Sequence, residues 1–141
     1  MIELDTITEN RKIRERYLGT AYQHQGRNGD TYDCWGLIIS IYKNYGIELF
    51  DIEKYTENDI IEQQLFNKHY SDVWSRVDEP KLLDIVLLNN KNGIPFHAGV
   101  YLMNNQFIHA TKIGVLVNRI TPNIPLNGFY RYDYNKILLV R

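Results

Sequence analysis

The hydrophobic pattern of this chain changes its period along the sequence. In the first third, apolar residues recur every three to four positions, as they do on one face of a helix. After Pro80 they form short apolar runs or alternate with polar residues, as they do in strands. Helices followed by consecutive strands are typical of an α+β fold with an antiparallel sheet. The pattern therefore predicts N-terminal helices packed on a sheet of about five strands.

The first predicted helix runs from about Ile7 to Leu18. Thr6 and Glu9 have the spacing of a capping box, in which each side chain bonds the other residue's backbone N–H. Residues 19–33 are rich in Gly, Asn and Asp, and this composition predicts a surface loop.

The second predicted helix begins at Cys34 and is apolar enough to be a buried central helix. Asp33 is placed to cap its N-terminus, and Gly46 is placed to end it in a left-handed conformation. Residues 47–80 are predicted to form a polar insertion with one amphipathic helical stretch around residues 60–66.

The strand predictions follow the same reasoning, and the length of 141 residues fits one domain over residues 1–141. The asparagine pair near residue 104 is a turn signal between two of the strands. Strands are predicted at Leu82–Leu88, Phe96–Leu102, Gln106–Ala110, Val115–Ile120 and Lys136–Val140.

Charge and hydrophobicity exclude several classes of protein. Sixteen Lys and Arg against 17 Asp and Glu give a net charge of -1, so no broad basic field attracts nucleic acid. No stretch approaches the ~20 apolar residues of a membrane span, and the first residues do not resemble a signal peptide. We therefore expect synthesis in a cytoplasm, no nucleic-acid partner and no membrane insertion.

Cys34 is the only cysteine, which excludes an intramolecular disulfide and a four-cysteine zinc site. At the first turn of a helix, unpaired backbone N–H groups favour a thiolate, whereas the neighbouring Asp33 carboxylate disfavours it. The residue is therefore either a small core side chain or a working thiol. A site of Cys34 with His97 and His109 lacks the short ligand spacing usual for zinc, so neither a metal nor a cofactor is predicted.

The number of residues in the hairpin loop between His97 and His109 decides whether the two side chains lie on the same face of the sheet. With a two-residue loop at Asn104-Asn105, the two imidazoles point to opposite faces of the sheet. With a three-residue loop over residues 103–105, they share a face as diagonal neighbours within hydrogen-bond reach, and Gly99 lies opposite His109. A pair of cooperating histidines therefore requires an odd loop or a bulge.

Four short segments stand out along the chain: Gly-Thr-Ala-Tyr at 19–22, Tyr-Asp-Cys-Trp-Gly-Leu at 32–37, His-Ala-Gly-Val-Tyr-Leu at 97–102 and Gln-Phe-Ile-His-Ala at 106–110. These segments resemble those of the NlpC/P60 cysteine peptidases, papain-like enzymes that cut cell-wall peptides. The order of the segments and the gaps between them are similar to those of that family. The Asp-Cys-Trp-Gly-Leu form and the long insertion are more similar to the branch found in bacteriophage tail-tip assembly proteins.

The resemblance implies a role for each matching residue. Cys34 would be the nucleophile, His97 the general base and His109 the polar residue that orients it. Tyr22 would donate a hydroxyl beside the oxyanion. Asp33 and Trp35 would border the bound peptide, although Trp35 stands where most members have Ser.

By the same resemblance, the protein would be an endopeptidase that cleaves the γ-D-glutamyl bond to diaminopimelate or Lys in peptidoglycan stem peptides. It would work in a virion tail with other phage tail proteins and degrade the cell wall locally. Two alternatives remain open: a tail-assembly protein that keeps the fold without turnover, and a thiol hydrolase that acts on another amide or on an acyl group.

Overall fold

A computed structural model describes residues 5–27, 29–51, 57–66 and 71–134. The helices are α1 (Thr6–Tyr17), α2 (Cys34–Lys43) and α3 (Glu57–Ile61), followed by a π-helical turn (Glu62–Phe66) and a 3₁₀ turn (Ser71–Val73). The strands are β1 (Ala21–Tyr22), β2 (Thr31–Tyr32), β3 (Trp74–Val77), β4 (Ile85–Asn89), β5 (Pro95–Tyr101), β6 (Gln106–Thr111), β7 (Gly114–Arg119) and β8 (Leu126–Tyr132).

The described part of the chain contains one antiparallel sheet of six strands, in the order β3-β8-β4-β5-β6-β7. The short strands β1 and β2 pair separately, in parallel. The predicted α+β class is confirmed, but β3 and β8 were not expected. The strand predicted at Lys136–Val140 lies outside the described residues.

Helix α1 is capped by Asp5, so the predicted capping box at Thr6 is wrong. The Asp5 carboxylate accepts hydrogen bonds from the Ile7 N–H at 3.2 Å and from the Thr8 hydroxyl at 2.7 Å. Asp5 has extended backbone angles, whereas Thr6 already lies within the helix. Two residues suited to capping stand side by side here, and the path of the chain into the helix selects the first.

Helix α2 is capped as predicted. The Asp33 backbone is extended, and its carboxylate accepts the Gly36 N–H at 2.8 Å. Gly46 follows the helix with φ of 78°, a left-handed conformation that glycine adopts without steric cost. The helix therefore begins at Cys34, and its first turn lies against the loop that precedes it.

Two apolar clusters lie on the two faces of the sheet. The larger one joins α2 and α3 to the inner face of β5 and β6, which contributes Ala98, Val100, Ile108 and Ala110. The smaller one, on the opposite face, contains Val86, Leu88, Tyr101 and Phe107.

The segment predicted as a polar insertion contributes to the core. Ile60, Ile61, Leu65 and Trp74 are buried in the larger cluster, whereas Phe66 is 42% exposed. None of the helices in the described ranges is both long and apolar enough to cross a membrane.

Candidate active site

Three residues lie between Leu102 and Gln106, the last pair of the β5–β6 hairpin, as a shared histidine face requires. Val100 pairs with Ile108, and the Leu102 N–H donates to the Gln106 carbonyl at 2.9 Å. The loop residues Asn104 and Asn105 have positive φ angles of 53° and 59°. Residues 103–105 therefore form the odd loop that the parity argument required.

The two imidazoles meet on one face of the sheet. His97 Nε2 and His109 Nδ1 are 2.7 Å apart, a hydrogen-bond distance. Gly99 makes this arrangement possible, because a Cβ at that position would lie 2.9 Å from the His109 Cβ and 2.6 Å from the Ile108 carbonyl oxygen. The structure therefore confirms both the predicted contact and the predicted use of the glycine.

Asn118 on β7 extends this contact by one residue. Its carboxamide oxygen lies 2.6 Å from His109 Nε2. We call the row of His97, His109 and Asn118 the histidine diagonal, because it crosses three adjacent strands. The Phe107 ring lies beside it, with its centroid 4.5 Å from that of His109.

Sequence reasoning did not identify Asn118, although a signal for it was available. In the β6–β7 hairpin, His109 pairs with Leu116 and Phe107 pairs with Asn118. A residue two positions beyond the direct partner of His109 shares its face and lies within diagonal reach. The predicted strands at 106–110 and 115–120 were sufficient to align these residues once the turn between them was fixed.

Burial keeps the two imidazoles neutral at pH 7. Burial, together with the charge of the neighbouring His109, lowers the pKa of His97 from 6.5 to about 4. Burial also lowers the pKa of His109, and the hydrogen bond to Asn118 opposes that change. A neutral imidazole has one protonated and one unprotonated nitrogen, so His97 can accept a proton at neutral pH.

Cys34 lies at the first position of α2, the helix that packs against β5 and β6. The two histidine-bearing strands therefore pack against the helix that the cysteine begins. The whole residue is 0% exposed, and it belongs to the larger apolar cluster. Both features that sequence reasoning weighed, a helix N-terminus and a buried thiol, are present together.

A dense set of hydrogen bonds fixes the loop just before the cysteine. The buried Asp33 carboxylate accepts the Gln25 N–H at 2.9 Å, the Gly36 N–H at 2.8 Å and the Arg27 guanidinium at 2.9 Å. The Arg27 guanidinium also donates two hydrogen bonds to the carboxylate of the exposed Asp51, from Nε at 2.9 Å and from Nη2 at 3.1 Å. We call Gly26, Arg27, Asp33, Cys34 and Gly36 the cysteine corner.

Gly36 allows the loop to approach the helix closely. A Cβ on Gly36 would overlap the Gly26 carbonyl oxygen and lie 2.6 Å from Arg27 Nη1. The Gly-rich composition that predicted a surface loop thus also serves a buried contact between that loop and α2.

The two residues expected to border a peptide are both buried in this structure. Asp33 and Trp35 are each 0% exposed. The Asp33 carboxylate is occupied by the contacts of the cysteine corner, and the Trp35 indole N–H has no hydrogen-bond partner among the described residues. Neither side chain therefore presents an open surface to a substrate here.

Tyr22 is positioned by the small parallel pair of strands. It pairs with Tyr32, two residues before Cys34, and the Gln23 N–H donates to the Tyr32 carbonyl at 3.1 Å. Its side chain is partly buried against the larger apolar cluster. The pairing places Tyr22 on the strand next to the one that leads into the cysteine.

Among the residues that the structure describes, no group of three or more His, Cys, Asp or Glu side chains is arranged to hold a metal ion.

Comparison with known proteins identifies relatives of this chain. The model of the NlpC/P60 family matches residues 19–132. A probable endopeptidase NlpC of Escherichia coli strain K12 is 30% identical over 104 residues, which cover 70% of this chain and 58% of that protein. The matched region thus spans less than two thirds of the length of that curated relative.

Solved structures show the same fold. NlpC1 from Trichomonas vaginalis superposes with a TM-score of 0.65 at 24% identity, over 94% of this chain and 46% of that one. RipD from Mycobacterium tuberculosis, described as a non-catalytic NlpC/p60 domain protein adapted to peptidoglycan binding, superposes with a TM-score of 0.56 at 14% identity, over 92% of this chain and 97% of that one. The fold thus occurs in a relative described as non-catalytic.

Proposed function

The chain belongs to the NlpC/P60 family, and on that basis we propose that it is a cysteine peptidase acting on peptidoglycan peptides. The observation that carries the proposal is the 2.7 Å contact between His97 and His109, on strands packed against the helix that begins at Cys34. A thiol, a neutral base and a second polar group that holds the base are the three groups that covalent catalysis by a cysteine uses.

The proposed reaction begins with proton transfer from the Cys34 thiol to His97. The thiolate attacks the carbonyl carbon of the scissile amide, and a tetrahedral oxyanion forms. His97 then returns the proton to the leaving amine, and the C–N bond breaks. Water, deprotonated by His97, hydrolyses the resulting thioester and regenerates the thiol.

Two donors are proposed for the oxyanion. The Cys34 N–H lies at the first helical position, where a helix offers no internal acceptor. The Tyr22 hydroxyl is the second donor, supported by the pairing of its strand with the strand before Cys34. Donors of this kind contribute roughly 2.7–4 kcal/mol each to transition-state stabilisation.

The proposal extends to a substrate bond and a biological setting. We propose cleavage of the γ-D-glutamyl bond to diaminopimelate or Lys, in a phage tail that opens the cell wall locally. The support is the similarity of the Asp-Cys-Trp-Gly-Leu segment and of the long segment over residues 47–80 to the tail-tip branch. Other tail proteins would be its partners.

A second candidate function is peptidoglycan binding without turnover. The complete burial of Cys34 favours it, because a nucleophile must be reached by its substrate. The contacts of Asp33 favour it too, since two backbone N–H groups and the Arg27 guanidinium already bind that buried carboxylate.

Digestion of defined muropeptides, read by mass spectrometry, separates the two candidates. The wild-type protein should release fragments with a new amino terminus at diaminopimelate or Lys. Cys34→Ala should give none, and His97→Ala should be about 10²- to 10⁴-fold slower, the usual contribution of a general base. His24→Ala, in the loop before α2, is the matched histidine control and should cleave normally. Muropeptides that stay intact and are recovered bound to the wild-type protein would instead indicate binding without turnover.

A further inference from the structure

The outer end of the histidine diagonal carries a residue with no role in the reaction proposed above. We infer that Asn118 is a positioning residue, whose carboxamide oxygen fixes which nitrogen of His109, and through it which nitrogen of His97, carries the proton. The inference rests on the proposed function, which requires an unprotonated nitrogen on His97.

The proton arrangement follows from the contacts. A carboxamide oxygen only accepts, so at 2.6 Å His109 Nε2 must carry a proton and donate it to Asn118. In the neutral imidazole, His109 Nδ1 is then unprotonated. That nitrogen accepts the hydrogen bond from His97 Nε2–H over 2.7 Å, and in the neutral imidazole of His97 the other nitrogen, Nδ1, is then unprotonated.

Without an acceptor at residue 118, the opposite arrangement becomes available. His109 Nδ1–H would then donate to His97 Nε2, and the proton of His97 would sit on Nδ1. The nitrogen that must take up the thiol proton would already be protonated. A single side-chain oxygen thus selects the competent arrangement of two imidazoles.

The position of Asn118 makes the inference testable without disturbing the core. The residue is exposed on β7, and its oxygen reaches His109 diagonally across the β6–β7 pair. An exposed side chain contributes little to packing, and substitutions at such positions usually change stability by less than ~0.5 kcal/mol. A fall in kcat at this position, without a loss of stability or a change in KM, would therefore indicate an effect on the imidazoles.

Three variants form the test. Asn118→Leu removes the acceptor at similar size. Asn118→Asp keeps an oxygen acceptor on a side chain of the same shape, and is assayed at pH 8, where an ordinary imidazole with pKa of about 6.5 is neutral. Arg119→Leu is the matched control, since it makes the same kind of change at the next exposed residue of β7, on the other face of the strand.

Two measurements are made on each protein. Nitrogen-15 NMR of the resting, histidine-labelled protein reports which ring nitrogens of His97 and His109 are protonated. Steady-state cleavage of muropeptides gives kcat and KM separately. Thermal unfolding of each variant is recorded to show that it is folded.

For Asn118→Leu we expect a mixture of tautomers and a kcat about 10-fold lower, a part of the roughly 10²- to 10⁴-fold that a general base contributes, with KM within about 2-fold. Asn118→Asp and Arg119→Leu should keep the wild-type tautomers and kcat. Wild-type tautomers and kcat in Asn118→Leu would overturn the inference, as would equal losses in Asn118→Leu and Asn118→Asp without a tautomer change. If the wild-type protein cleaves no muropeptide, the proposed function fails, and the tautomers alone still decide the role of Asn118.

Discussion

The cysteine corner and the histidine diagonal are built on opposite principles. The corner is buried and holds the Asp33 carboxylate, which binds two backbone N–H groups and a guanidinium. The diagonal joins neutral groups through two short contacts, and its last member is exposed. One half of the site is thus part of the folding core, whereas the other half lies on a face of the sheet.

This difference predicts that substitutions in the two regions separate stability from activity. Removing a partner from a buried charged group leaves an uncompensated charge and is costly for folding. Changing a contact between two neutral imidazoles leaves no uncompensated charge and alters the proton arrangement more than it alters folding. The four predictions below test that separation, beginning with the largest expected effect.

Asp33→Ala should destabilise the protein by about 3 kcal/mol or more. The substitution removes the N-cap of α2 and leaves the Arg27 guanidinium without its buried partner. Urea denaturation followed by circular dichroism measures the change. A loss below about 1 kcal/mol would contradict the structural role of the cysteine corner.

Acidification should remove up to roughly 3 kcal/mol of stability through His97. The native pKa is lowered from 6.5 to about 4, so the unfolded chain binds a proton that the native protein does not. This contribution is absent above pH 6.5 and grows as pH falls towards 4. The measurement is the unfolding free energy of wild type and His97→Gln between pH 7 and 4. Parallel curves for the two proteins would contradict the lowered pKa.

Gly99→Ala should destabilise by about 1–3 kcal/mol, the usual range for an overpacked site, and should displace His109. The added methyl group would lie 2.6 Å from the Ile108 carbonyl oxygen. Gly128→Ala is the control in the same sheet, because its methyl group would meet the flexible end of Arg76 at 3.0 Å. Equal stability and equal muropeptide cleavage in the two variants would show that no close approach exists at Gly99.

Asp51→Ala should have the smallest effect, below about 1 kcal/mol. It removes the other partner of Arg27, but this ion pair is at the surface, where such pairs contribute little. The difference between the stability losses of Asp51→Ala and Asp33→Ala therefore measures the effect of burial, because the two carboxylates bind the same guanidinium. A loss as large as that of Asp33→Ala would mean that Arg27, and not the buried carboxylate, organises the corner.

The features that could be predicted from the sequence depend on a local residue pattern or on the alternation of side chains along a strand. Helix α2 and its cap at Asp33 follow from a residue type at a fixed offset from an apolar face. The contact of His97 with His109 follows from the alternation of side chains along strands, once an odd loop is assumed.

Features that depend on approach between distant segments were not predictable. Strand β8 reads Leu-Asn-Gly-Phe-Tyr-Arg-Tyr, a polar and aromatic mixture without a clear alternating apolar pattern. The ion pair of Arg27 with Asp33 depends on how a loop folds back on a helix. The role of the Asn118 oxygen required the register between β6 and β7, which depends on the turn between them.

Labelling of the native thiol tests most directly whether Cys34 and His97 act together. Cys34 is the only cysteine, so the stoichiometry of iodoacetamide labelling reports on it alone. Wild-type protein at pH 7 should be alkylated under native conditions, and His97→Ala should react at least about 10-fold more slowly. A thiol that is inert in both native proteins and reacts only after denaturation would contradict the pairing and identify Cys34 as a core residue.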